Sequence, residues 1–578
     1  MLATPSHSFG KKLLIIVASI LIALSIIISR LFYLQISNGD RMLHKSRNNF
    51  LRYEPTSPLR GNILDVNGRF LATNRPTTSM YWKGTGNKKL SSEQRKTLAS
   101  ILQIIGFDST QALDPSFDKA EKLAHKVLLL EDMSFDQLSK IAEQFSNHPN
   151  IIIESGFSRF YPHKTLASHT LGYLEQHNFD MIGKMGLEKL YDEVLKGKCG
   201  ITEKIQNSFG KNLLEKEIER SLAGEDITIT IDCALQQIAE RLFPENHNGA
   251  FILMDSQTGA LRALLSRPDF DPNIFLKPLD HETWNNIQEN RPFIHRVFNA
   301  CYPPGSLFKL VTISAIIESN IVSPSSIWCC YGYSKLGSER IGCARKQGHG
   351  PLTIPQAMAH SCNILFFEVG KKIDIDLLAR YAGHFGLGRP TNSMFKELNG
   401  LIPTRAWKRA TKGERWWTGE TLSAAIGQSF LLVTPIQMAR MIASIQTGFL
   451  VTPHIIPSEI NNTIEQLPIK PETRKFLQDA MQLTASEGTA RRLRRFMKDF
   501  TIGAKTSTAQ TSKLDKREMG KQYREHRWLA VNFIYKNLPP MTMIILVENA
   551  ELPHLSVEFA CNFLKAFKEV MDIRIQKQ

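Results

Sequence analysis

The sequence predicts an α+β protein: a single antiparallel sheet covered by helices in the C-terminal part, an α+β module before it, and a membrane-spanning helix at the N-terminus. Three observations predict it. Apolar runs of strand length stand at both ends of residues 225–578 with helical stretches between them, which suits one sheet with helices over it. Leu13 to Ser29 carries no charge and consists mainly of Leu, Ile, Val and Ala. At 578 residues the chain exceeds the size at which one core usually stops growing, so several domains are expected.

The apolar segment, extended past Arg30 by Leu31 to Ile36, is about long enough to cross the hydrocarbon of a bilayer. Lys11 and Lys12 precede it, and positive residues on that flank hold the N-terminus in the cytoplasm and place the remainder outside. No small-residue cleavage pattern follows, so residues 1–12 read as a cytoplasmic tail and 13–36 as an uncleaved signal anchor, with a cleaved signal peptide as the alternative. An extracytoplasmic location argues against nucleic acid as a partner, although 71 Lys and Arg stand against 55 Asp and Glu. The run Arg491-Arg492-Leu493-Arg494-Arg495 then reads as a solvated helix face or an outward-facing basic patch.

Residues 37–224 form the α+β module. Ser57-Pro58 and Asn67-Gly68 mark turns around a short strand, 61–65, and Gly68 to Ala72 restarts extended chain. Leu90 to Ile105 and Ser134 to Phe145 have the period of amphipathic helices, and Arg60 with Asp65 is read as a structural ion pair. The domain at 225–578 opens with a strand, 226–232, a helix, 234–242, and a hairpin pairing 249–255 with 260–266. It closes with strands at 501–510, 528–535 and 541–547 and a helix at 556–571.

The chemistry centres on Tyr302-Pro303-Pro304-Gly305-Ser306-Leu307-Phe308-Lys309. The prolines and glycine stop what precedes them, and the apolar run that follows predicts that Ser306 opens a buried helix. Lys309, three residues on, shares its face; burial favours a neutral amine able to take the serine proton, and free N–H groups at the helix start suit a developing oxyanion. Ser361-Cys362-Asn363 and Lys505-Thr506-Ser507-Thr508 follow in the order of the S-x-x-K, S-x-N, K-T-G set of serine acyl-transfer enzymes. At a break between helices, Ser361 can relay a proton between Lys309 and a leaving amine, and Asn363 can hold Lys309 or a substrate carbonyl; a helix cap is the alternative for Ser361. Lys505 to Thr508 lie on a strand whose edge offers backbone groups to an extended peptide.

With these motifs the chain resembles the class B penicillin-binding proteins, the monofunctional transpeptidases that cross-link peptidoglycan, and within them the penicillin-binding protein 2 group that serves lateral wall elongation. Further stretches carry the resemblance: Leu59 to Gly68, Arg159-Phe160-Tyr161-Pro162, Gly186-Leu187-Glu188, Asp226 to Asp232, Gly348-His349-Gly350, Pro403 to Lys408, Gly427-Gln428 and Val433 to Met438. The resemblance implies a serine-β-lactamase-like transpeptidase domain at 225–578 and an elongated pedestal at 37–224 with a head at about 80–150. It implies an inner-membrane protein with its bulk in the periplasm. Ser306 becomes the nucleophile toward stem peptides ending in D-Ala-D-Ala and toward β-lactams, and Lys309 the base. Lys505, Thr506 and Thr508 hold the donor's terminal carboxylate, and the N–H groups of Ser306 and Thr508 form the oxyanion hole. The family usually has Gly where this chain has Ser507, among the substrate-binding residues, so that side chain either narrows the cleft or turns aside. A membrane glycosyltransferase of the RodA type is the implied partner, and no metal or organic cofactor enters the chemistry. The rival readings are a D,D-carboxypeptidase, with water as acceptor, and a non-catalytic wall-assembly scaffold or β-lactam sensor.

Five of the eight cysteines (Cys301, Cys329, Cys330, Cys343, Cys362) fall near the first two motifs. Cys330, Cys343, His349 and Cys362, with Cys329 as an alternate first member, supply four soft ligands of the kind tetrahedral zinc takes. A disulfide from Cys329 or Cys330 to Cys343, or free thiols, are the alternatives. Members of the resembled group bind a metal in this interval through the residue after the second-motif serine, here Cys362. His295, His360 and His384 have no third group to place them as bases, and the charged stretch Ser512 to Arg527 reads as a mobile loop able to gate the cleft.

Overall fold

In the computed structural model the uncharged run at the N-terminus is one continuous helix, α1 (His7–Phe32), because nothing in it breaks the backbone ladder. A further turn, Tyr33–Ser37, completes a span (Gly10–Ser37) long and apolar enough to cross a membrane, with its aliphatic side chains exposed. The structure describes residues 7–577 apart from 109, 112–113, 124, 147, 178–179, 207–211, 278, 280, 458–463 and 511–519. Half of the stretch expected to gate the cleft, 512–519, therefore lies outside the described residues.

The chain forms two compact units that are not contiguous in sequence. The first comprises residues up to Arg60, Asn74–Ser158 and Lys196–Gly224. It holds α1 and an antiparallel sheet of Leu51–Thr56, Gly200–Gln206 and Asn212–Glu219. The two helices expected there run from Ser92 to Ile104 and from Phe135 to Gln144; Ser91 and Ser134 cap them in reciprocal boxes with Gln94 and Gln137, so each starts at the residue after its cap. Met80, Trp82, Leu98 and Ile101 make the core beneath them.

The second unit comprises Gly61–Thr73, Arg159–Leu195 and Glu225–Gln578. Ile63–Leu64 pairs in parallel with Ile227–Thr228, so the strand expected over 226–232 is two residues long. It ends early because Asp232 caps the next helix, α2 (Cys233–Leu242), accepting from the amides of Ala234 and Leu235 at 3.1 and 3.3 Å. Asp65 likewise accepts three backbone amides, of Asn67, Arg69 and Cys233, in place of the ion pair expected from the sequence.

The expected sheet is present. Its strands are β1 (Gly249–Asp255), β2 (Leu261–Arg267), β3 (Phe500–Ala509), β4 (His526–Tyr535) and β5 (Met541–Val547), in the order β2-β1-β5-β4-β3, antiparallel throughout. Side chains alternate between two cores, and this is why the strands read as unbroken apolar runs. Ala250, Ile252, Ile544 and Leu546 belong with the helical middle, which holds α3 (Lys309–Glu318), α4 (Ile354–Ala359), α5 (Ile364–Gly370), α6 (Pro435–Thr447) and α7 (Pro471–Ser486). Phe251, Leu253, Val531 and Ile545 pack with α2 and the closing helix α8 (Leu555–Lys577), whose Phe559, Phe563 and Phe567 line the contact. The strand carrying the third motif, β3, is thus an edge strand paired with β4.

Candidate active site

Ser306 sits in a 3-10 turn, Gly305–Leu307, and α3 begins only at Lys309. The helix start expected at Ser306 is displaced because Gly305 adopts φ +52°, which only a glycine takes without strain. Proline has no N–H, so the preceding turn is fastened through its carbonyls: Pro303 O accepts from Trp528 Nε1 at 3.2 Å and Pro304 O from Ser507 Oγ at 2.8 Å. Gly305 N donates to Gly427 O at 2.8 Å, and Tyr302 exchanges two backbone bonds with Val433.

Residues 309–316 of α3 are all buried, and Lys309 is fully so. Its Nζ donates to Asn363 Oδ1 at 2.8 Å, Ser361 O at 2.9 Å, and Ser361 Oγ and Cys362 O at 3.3 Å, with the Phe366 ring 4.9 Å away. Burial pulls its pKa down to about 7, against an upward pull from the thiols of Cys362 and Cys343. The expected direct contact with Ser306 is replaced by a relay. Ser361 Oγ donates to Ser306 Oγ at 2.9 Å and in turn accepts from both Lys309 and, at 3.2 Å, Lys505. Ser361 occupies the break between α4 and α5 at φ +53°, a conformation that costs a non-glycine residue energy and that clusters at functional sites.

Lys505, also fully buried, gives a second bond to Thr506 O at 2.9 Å; burial first, then the charge of Lys309, holds its pKa well below the ordinary lysine value. Thr506 and Thr508 face the other way along β3 and stay partly exposed. Thr508 O accepts from Gln428 Nε2 at 3.4 Å and would lie 2.9 Å from a Cβ on Gly305. The carbonyl and amide of one strand residue share an edge, so the Thr508 N–H also faces the nucleophile turn. Ser507 does not line that outward side: it is buried, turned onto Pro304.

Three neighbours had not been read from the sequence. Arg527 Nη1 donates to Thr508 Oγ1 at 2.6 Å, Thr489 and Thr506 join hydroxyls, and Trp528 takes Pro303 O. The β3–β4 register, in which Thr508 faces Arg527 and Ser507 faces Trp528, is the signal that finds two of them.

Cys330, Cys343, His349 and Cys362 bring their ligand atoms within 4.8 Å of one another. The contacts are 3.6 Å (Cys330 Sγ to His349 Nδ1), 3.7 Å (Cys343 Sγ to His349 Nδ1) and 3.9 Å (Cys343 Sγ to Cys362 Sγ). Ligands about 2.3 Å from a tetrahedral zinc stand roughly 3.8 Å apart, so the donor set fits that ion, and these cysteines are free thiols in the structure. The hydrogen bond between the Cys343 and Cys362 sulfurs draws the Cys343 thiol down to about 4 and raises that of Cys362. Cys329, the alternate ligand, is exposed on the next position of its strand and stays out of the cluster.

Residues 249–565 match the penicillin binding protein transpeptidase domain, and residues 55–229 the penicillin-binding protein dimerisation domain. The chain belongs to the penicillin-binding protein transpeptidase family. It is 28% identical to peptidoglycan D,D-transpeptidase MrdA of Acinetobacter baumannii, over 94% of this chain and 85% of that one. With MrdA of Escherichia coli K12 it shares 27%, over 94% and 92%. Among solved structures it is similar to penicillin-binding protein PBP2 of Helicobacter pylori in complex with MreC, with a TM-score of 0.76, 26% identity, and coverage of 90% of this chain and 99% of that one. It is also similar to a chain of a peptidoglycan synthase complex, with a TM-score of 0.73, 28% identity, and coverage of 96% and 98%.

Proposed function

We propose that this penicillin-binding protein is a serine D,D-transpeptidase that cross-links peptidoglycan stem peptides during wall elongation. The observation that carries the reading is the relay from Ser306 Oγ through Ser361 Oγ to the buried amine of Lys309. Ser306 attacks the carbonyl of the penultimate D-alanine, its proton passes to Ser361 Oγ, and Ser361 passes its own to neutral Lys309. The amides of Ser306 and Thr508 receive the oxyanion, Thr506 and Thr508 face the terminal carboxylate, and Lys505 acts from the other face through Ser361. The proton returns along the same path to the departing D-alanine, leaving an acyl-serine. An amine of a second stem peptide then attacks the ester, gives up a proton to the relay, and releases Ser306.

Cys330, Cys343, His349 and Cys362 are proposed to hold a structural zinc, whose four bonds would stiffen the segment carrying Ser361 and Asn363; no step of the reaction passes through it. The apolar span supports a single-pass anchor with the enzymatic bulk on the outer side of the membrane. The names of the similar structures, one with MreC and one within a synthase complex, support assembly with wall-synthesis proteins, for which a glycosyltransferase of the RodA type is the proposed partner.

Fluorescent penicillin is expected to label the full-length protein and not Ser306→Ala; equal labelling of both removes the assignment. Supplying a D-Ala-D-Ala stem peptide with and without an amine acceptor separates transpeptidation from a carboxypeptidase, which would release D-alanine without joining peptides.

A further inference from the structure

The nucleophile turn presents two successive prolyl carbonyls, and neither proline has an N–H, so between the backbone bonds of Tyr302 and Gly305 it is fastened through those carbonyls. Both carbonyls are held by one cross-strand pair: Ser507 on β3 and Trp528 on β4 are register partners, and their side chains donate to Pro304 O and Pro303 O. Ser507 is 4% exposed, and a Cβ added to Gly305 would lie 2.3 Å from its Oγ, so hydroxyl and turn are in close contact. The next residue along β3 is Thr508, and two residues past Pro304 is Ser306. We propose that Ser507 is a positioning residue that clamps the nucleophile turn to β3 and thereby fixes the spacing between the Ser306 hydroxyl and amide and the Thr508 amide. A glycine at this position leaves the Pro304 carbonyl with only the long 3.4 Å bond from the Leu307 amide inside the turn, with no side-chain donor from β3, and the turn free to shift relative to the strand.

The proposal rests on the acyl-serine reading, and its test keeps the two apart. The full-length protein in detergent is acylated with fluorescent penicillin over a range of concentrations, giving a saturating rate and a half-saturating concentration, with the melting temperature measured beside them. Ser507→Ala and Ser507→Gly are expected to lower the saturating rate about tenfold, because sub-ångström misplacement at the reacting centre acts on the chemical step, with little change in half-saturation. Ser507→Thr, which keeps the hydroxyl, is expected to recover most of the rate. A Ser507→Ala protein that acylates at the wild-type rate, or that melts lower while its folded fraction acylates normally, overturns the positioning role and leaves the acyl-serine reading standing. A wild type that penicillin does not label overturns both. Should Ser507→Ala fail to fold, Trp528→Phe removes the companion donor while keeping an aromatic ring; a similar slowing supports the clamp, and an unchanged rate refutes it.

Discussion

Lys309 and Lys505 present their ammonium nitrogens to the same acceptor, the Ser361 hydroxyl oxygen, from 3.3 and 3.2 Å. Both are fully buried, so two positive charges would share one small polar site away from water. Burial favours the neutral amine in both, joined for Lys505 by the charge of Lys309, and for Lys309 burial against the pull of Cys362 and Cys343 leaves the pKa at about 7. A lysine with a depressed pKa loses its proton as the pH rises through that value, and only then can it accept one from the relay. Acylation by penicillin is therefore expected to rise about tenfold per pH unit below the Lys309 pKa and to level off above it. A rate that stays flat from mildly acidic to mildly alkaline pH contradicts Lys309 as the base. Lys309→Arg, charged at every accessible pH, is expected to acylate too slowly to measure.

Arg159 and Glu188 form an ion pair at 2.8 Å with side chains 1% and 0% exposed. Tyr161 donates its hydroxyl to the same carboxylate at 3.0 Å, and Arg159 reaches Gly61 O at 2.7 Å. Removing one partner strands a buried charge, so Glu188→Gln or Arg159→Ala is expected to cost about 3–5 kcal/mol in denaturant unfolding. Replacing both residues together should cost less than the two single changes summed. Additive losses would mean that the pair does not act as a unit.

Gly305→Ala is expected to remove penicillin labelling while most of the protein remains folded. The substitution puts a Cβ at φ +52° and against Ser507 Oγ, so the turn must move, and Ser306 moves with it. The circular dichroism spectrum should match wild type, and retained labelling at the wild-type rate would show that the turn tolerates the displacement.

The sheet and the three motifs were legible because they rest on local signals. Unbroken apolar runs such as Met541–Val547 mark strands buried on both faces, and the order of the motifs narrows the chemistry. What was not legible depends on distant pairings. Asp65 gives its oxygens to backbone amides of a turn and of Cys233, and no spacing along the chain announces that. The relay through Ser361 could not be told from a direct Ser306–Lys309 contact, because three-residue spacing assumes an α-helix, whereas Gly305 opens a 3-10 turn there. The direction of the Ser507 side chain follows from the partner that β3 takes, and that partner lies beyond the stretch 511–519.

The cysteine cluster yields a prediction in which neighbouring residues part company. Cys329 and Cys330 are consecutive on a strand, so their side chains leave opposite faces; Cys330 points into the group with Cys343, His349 and Cys362, and Cys329 is exposed. If the group binds zinc, purified protein should carry about one ion per chain, Cys330→Ala and Cys343→Ala should each lose it, and Cys329→Ala should keep it. Metal content read by atomic absorption decides this without reference to activity. Loss of the ion frees the segment bearing Ser361 and Asn363, both bonded to Lys309, so the metal-free variants should also melt lower and acylate more slowly. Wild-type protein purified without chelators and found free of metal would defeat the zinc assignment. The cysteines would then be explained as buried thiols joined by the Cys343–Cys362 hydrogen bond, and Cys343→Ala should leave the melting temperature nearly unchanged.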